Sequence, residues 1–67
     1  MNNLRYYRHV NNMTREALSR ATGIKTGTIK HWEDGTVALE NASYINVIKV
    51  AYALEVYPEQ LFTEKLL

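Results

Sequence analysis

Lys30 and His31 stand side by side in the chain, with Gly27 three residues before the lysine and Asp34 three residues after the histidine. At 100° per residue these four positions point to one side of a helix. Lys30 can donate to guanine O6 and N7, and His31 can donate from a ring nitrogen. Thr26, just ahead of them, can bond a base or a phosphate and touch a thymine methyl. Gly27 adds no side chain but lets the backbone come close to a ligand. The competing reading is an ordinary solvated helix face. Asp34 argues for that competitor, because a carboxylate near phosphates repels them unless it points at a cytosine amine or away from the duplex.

Catalysis finds less support. His9, His31, Asp34 and Ser43 are present, yet the chain has no nucleophile motif, no Gly-rich phosphate loop and little room for a cleft. Zero cysteines exclude a disulfide framework and thiolate metal sites, and His9 and His31, 22 residues apart, make a weak metal pair. Nothing implies a cofactor.

The charge is divided along the chain. Residues 1 to 32 carry Arg5, Arg8, Arg15, Arg20, Lys25 and Lys30 against Glu16 alone, a net +5. Residues 33 to 67 carry Lys49 and Lys65 against Glu33, Asp34, Glu40, Glu55, Glu59 and Glu64, a net −4. The total of +1 conceals a division that suggests a basic side facing a polyanion and an acidic side facing solvent or a partner, the competing reading being a random scatter of surface charges.

The elements that position these residues read as helical throughout. The 67 residues, 46% apolar and 22% charged, have no repeat, no low-complexity stretch and no linker, and form one unit over 1–67. A domain this small buries only about 60% of the surface its unfolded chain exposes, so it depends on well-packed helices, a partner, or both. Leu4, Tyr7 and Val10 mark the inner face of a first helix over about 3 to 11, broken by Asn11-Asn12. Thr14 caps a second over 14 to 22, containing Ala17, Leu18 and Ala21 and ended by Gly23. A third runs from Thr26 to Asp34, stopped by Gly35, with Ile29 and Trp32 on its inner face and Lys25 and Glu33 at the margins. Residues 36 to 42 look irregular. Ser43 then caps a fourth helix to about Leu54, apolar nearly all round and expected to be the buried centrepiece. Pro58 opens a fifth, with Leu61, Phe62 and Leu66 facing inward. Trp32, Tyr7 and Tyr52 are expected in the core rather than as stacking platforms for bases. No apolar run reaches the about 18 residues needed to cross a bilayer, and the start lacks the layout of a signal peptide, so the expected location is cytoplasmic.

Two short helices joined by a Gly-containing turn, the second with a polar outward face, form the arrangement that places a recognition helix in the DNA major groove. Nine residues at about 1.5 Å each span roughly 13 Å, which suits a groove about 12 Å wide. The run from Met13 to Gly35, with Gly23-Ile24, Thr28-Ile29 and Trp32-Glu33-Asp34-Gly35 at these offsets, resembles the helix-turn-helix of the Cro and phage-repressor type, also called the XRE family. The tail from Lys49 to Phe62 is similar to that family's closing segment, so the resemblance covers about residues 3 to 63. It implies an all-α, five-helix lambda-repressor-like DNA-binding domain. It also implies a homodimer on a two-fold double-stranded DNA operator, acting as a transcriptional regulator, most simply a repressor. The alternative is a protein-interaction module of the same fold, an antitoxin or repressor adaptor, whose acidic half or third helix binds a protein regulator.

The resemblance places Thr26, Gly27, Lys30 and His31 where similar proteins read base edges. Arg15, Lys25 and Arg20 flank the turn as candidates for phosphate contacts. Thr28 leans toward the second helix and is a candidate for a phosphate contact or for packing. Arg8 matches an Arg that in this family pairs with the Glu matching Glu33, and the expected bridge, partly exposed, contributes under about 1 kcal/mol. Some positions depart from the family's pattern. Arg15 stands for a usual Gln, Ala17 for a capping-box Glu, Lys25 for a capping Ser and Glu55 for a common Gly. Ser19 replaces a customary Ala, and its hydroxyl can bond to the preceding turn.

Overall fold

A computed structural model describes residues 2–62 of the chain. Four α-helices follow one another: α1 (Leu4–Val10), α2 (Arg15–Thr22), α3 (Thr26–Asp34) and α4 (Tyr44–Leu54). Two 3-10 turns, Leu39–Asn41 and Pro58–Leu61, complete the described residues, among which there is no strand. α2 packs on α3 and on α4, α1 lies on α3, and the turn at Pro58 closes against α4.

Local signals explain most of the boundaries. The Thr14 hydroxyl accepts the Ala17 N–H at 3.0 Å, and the Ser43 hydroxyl accepts the Asn46 N–H at 3.2 Å, so both helices start on a side-chain cap. Gly23 ends α2 at φ 76°, with its N–H donating to the Ser19 carbonyl at 2.7 Å, a left-handed position that costs glycine little. Asn12 turns the chain after α1 at φ 55°, a conformation asparagine tolerates better than most side chains.

The core is Leu4, Leu18, Ile24, Ile29, Trp32, Leu39, Val47, Val50, Ala51, Leu54 and Leu61, with Tyr7, Met13 and Phe62 packed against it. Several sequence expectations need correction. Val10 is 59% exposed, and Ala21 also faces solvent, so the inner faces of α1 and α2 are narrower than their apolar spacing implied. α4 is not buried all round: Val47, Val50, Ala51 and Leu54 face the core, whereas Tyr44, Ile45 and Tyr52 lie outside. Tyr52, expected in the core, is 85% exposed. The physical reason is that α2 and the Pro58 turn, its main neighbours, pack on one side of α4 and leave Tyr44, Ile45 and Tyr52 exposed on the other.

The stretch after Gly35 contains an anchor that its lack of period hid. Leu39 is fully buried at the head of its 3-10 turn and ties the connection to the core. The expected fifth helix is represented by the four-residue turn Pro58–Leu61, in which Leu61 is fully buried. Leu66 lies outside the described residues. The bond expected of Ser19 is made by Thr22 instead, whose buried hydroxyl donates to the Leu18 carbonyl at 2.8 Å and accepts the Ile24 N–H at 3.2 Å.

Asparagines fasten the N-terminal end. Asn2 Nδ2 donates to the Trp32 carbonyl at 3.0 Å, and Asn3 donates through its side chain to the Gln60 carbonyl and through its backbone to the Leu61 carbonyl. Asn11 Nδ2 donates to the Leu54 carbonyl at 3.0 Å. These long-range bonds had no signal in the periodicity, which registers apolar faces only.

Candidate nucleic-acid interface

Ile29 and Trp32 hold α3 from behind, the first fully buried and the second nearly so. Opposite them Gly27, Lys30, His31 and Asp34 are all exposed, so no other described segment covers that side. Thr26 and Thr28 are half-buried at its edge, Lys25 and Arg20 are exposed around the turn, and Arg15 is half-buried at the start of α2. The helix start has no side-chain cap: Lys25 occupies the capping position without a side-chain bond, and Thr26 is already helical. The first amides of α3 are therefore left to solvent or to a ligand.

Gly27 has no reason within the fold to be glycine. Its φ is not positive, and a Cβ placed there would meet nothing within 4 Å. Asp34 serves the turn that follows. Its Oδ1 accepts the Thr36 N–H at 2.8 Å, and Thr36, through its side chain and then its backbone, holds the carboxyl below the ordinary aspartate value. The Lys30 ammonium lies 3.9 Å from the other oxygen, an exposed pair one helical turn apart. The acidic group on the outer face is thus engaged by its own helix and turn.

Behind the face sits a charge cluster that the sequence only partly revealed. The Glu33 side chain is fully buried, not marginal. Arg8 grips it with a fork, Nε to Oε2 at 2.6 Å and Nη2 to Oε1 at 3.1 Å, while its Nη1 donates to the Met13 carbonyl at 2.8 Å. Arg15 Nε donates to Oε1 at 3.0 Å, and Arg5 Nε lies 3.5 Å from that same oxygen. Burial alone would raise the Glu33 pKa, but the hydrogen bonds and charges of Arg8 and Arg15 outweigh it and hold the carboxyl below the ordinary glutamate value. The expected Arg8–Glu33 bridge is therefore present but buried, and two further arginines from α1 and α2 join it. Arg5 and Arg8 stand three residues apart on one helix face, the signal that could have found the second of them.

A second surface lies on α4. Ala51, Tyr52, Glu55, Val56, Tyr57 and Gln60 line an open hollow of about 480 Å³, with Tyr52 and Tyr57 standing out on its rim. Among the described residues no group of three His, Cys, Asp or Glu side chains could hold a metal ion, and no helix is long and apolar enough to cross a membrane.

Comparison with known proteins agrees with this geometry. Neither a curated protein nor a solved structure shows significant similarity to the chain. The family model of the Cro/C1-type HTH DNA-binding domain, however, matches residues 3–64, a span that includes α2, the Gly23 turn, α3 and its exposed polar side. The chain belongs to the Cro/C1-type helix-turn-helix DNA-binding domains.

Proposed function

We propose that the protein binds double-stranded DNA sequence-specifically and regulates transcription as a repressor, with α3 inserted in the major groove. The observation that carries this reading is the polar side of α3, open to solvent over its full length and supported from within by Ile29 and Trp32. Thr26, Lys30 and His31 contact base edges in this proposal, Gly27 admits close approach of the backbone, and Arg15, Lys25, Arg20 and Thr28 contact phosphates. The open space at Gly27 supports its part, since a helical glycine without a packing role costs about 1 kcal/mol relative to alanine. The 67 residues act as one unit, paired as a homodimer on a two-fold operator.

Selection of bound duplexes from a random library, followed by titration at several salt concentrations, tests this. A consensus with half-sites about 34 Å apart is expected, bound at least about a thousandfold better than random DNA and weakening as salt rises. A selected duplex bound no better than random DNA would sink the reading.

The tyrosine-rimmed hollow on α4 favours a second reading, in which the same fold docks a protein regulator there. Recovery of a stoichiometric protein partner with no retention of any duplex would select it.

A further inference from the structure

Glu33 gathers more positive charge than it can balance. Three guanidiniums approach one carboxylate, which leaves the cluster two charges in excess. Arg8 is fully used, since each of its three nitrogens has a partner on Glu33 or Met13. Arg5 and Arg15 are not. Each approaches Glu33 through Nε, both at Oε1, and among the described residues the terminal nitrogens of the two make no hydrogen bond. The Arg5 side chain is 55% exposed and the Arg15 side chain 32%. Two guanidiniums are thus held beside each other by one shared oxygen, with four unbonded nitrogens.

We propose that Arg5 and Arg15 form a clamp for one backbone phosphodiester of the bound duplex, with Glu33 as its positioning residue. The inference rests on the DNA-binding reading above and assigns Arg5, on α1, a part in it. Like charges held this close repel, and an anion between them removes the repulsion. A phosphodiester presents two non-bridging oxygens, and a planar guanidinium fork suits each of them better than a lysine point charge does. Arg15 also opens α2, whose first amides have no intrahelical carbonyl to bond, and of these the Thr14 side chain caps that of Ala17. Those amides and the helix dipole add to the attraction for a negative group at that end.

Glu33 contributes order rather than contact. A free arginine side chain carries rotamer entropy that must be lost on binding, and anchoring Nε removes part of it beforehand. The carboxylate belongs to α3, so the clamp is fixed to the same helix that carries Lys30 and His31.

Titration of the library-selected duplex against the wild-type protein and an Arg5→Ala variant, each over a range of salt, tests the clamp. Loss of the contact is expected to weaken binding about tenfold for selected and random duplexes alike and to reduce the slope of log affinity against log salt by about 0.9. Arg5→Lys should restore the slope but not the full affinity, because it returns the charge without the fork. Arg5→Gln keeps the stem of the side chain and serves if the alanine variant melts early. Unchanged affinity and slope in a folded variant overturn the clamp and leave the DNA reading standing. Failure of the wild-type protein to bind any duplex removes both. In parallel, the arginine Nε–Hε resonances are followed by NMR during addition of inorganic phosphate at constant ionic strength. Saturable shifts of Arg5 and Arg15, with duplex affinity indifferent to Arg5→Ala, would assign the pair to a small free anion and overturn the phosphodiester.

Discussion

Glu33 shows how one side chain changes value with its surroundings. Exposed ion pairs contribute little, whereas a buried carboxylate stripped of its two-armed partner keeps only the contacts of Arg5 and Arg15 at one oxygen. Arg8→Ala removes both arms of the fork and the donor to the Met13 carbonyl. Chemical denaturation is expected to show a loss of about 3 kcal/mol, well above the under 1 kcal/mol of an exposed pair. Glu33 also sets an acid limit. Its folded pKa lies below the ordinary value, so its contribution is complete above the unfolded pKa and is lost as pH falls through the folded one. Melting temperature followed downward from about pH 5 should therefore fall, and Glu33→Gln should flatten part of that slope. On the outer face, Lys30→Ala should relax base preference at one operator position by roughly 1 to 3 kcal/mol while leaving the fold intact, as read from binding to single-site operator variants. The pairing of Arg8 with Glu33 was legible through the family resemblance, but its burial was not. Periodicity records which face a residue occupies, and the depth of Glu33 depends on Arg5 and Arg15 arriving from two other helices.

Helices were legible where caps and glycines mark them. Thr14, Gly23, Gly35 and Ser43 each stand where the chain turns, and α3 runs from Thr26 to Asp34 as its pattern predicts. The end of α4 is the exception that can be tested. Glu55 closes that helix at φ 60° and ψ 43°, left-handed geometry at a position where the resembling family often has glycine. A side chain in that region stores of order 1 kcal/mol of strain. Glu55→Gly is therefore expected to stabilise the domain by about 0.5 to 1 kcal/mol, seen as a rise of several degrees in melting temperature. In α4 only Asn46 and Lys49 are polar, so hydrophobicity alone does not say which face has a neighbour. Leu39 stands in a short stretch with Val37 and Ala38 beside it and no helical or strand period, so nothing in the pattern marks it as the buried one of the three.

For the molecule as a whole, basic residues gather before Trp32, and the three most exposed tyrosines, Tyr44, Tyr52 and Tyr57, lie after it. If the tyrosine-rimmed hollow is where two copies meet, Tyr52→Ser together with Tyr57→Ser should shift sedimentation toward the monomer and weaken binding to a two-half-site operator more than to a single half-site. Unchanged sedimentation would place the contact elsewhere. The division of charge was plain in the sequence, whereas the open tyrosine face emerged only once the packing of α4 was known. The Glu33 cluster has a mechanical meaning too. Its carboxylate sits on α3 and is grasped from both preceding helices, which ties the proposed recognition helix to α1 and α2. Such a body meets its target already in shape: what it surrenders on docking is tumbling and drift, with little internal wandering left to give up.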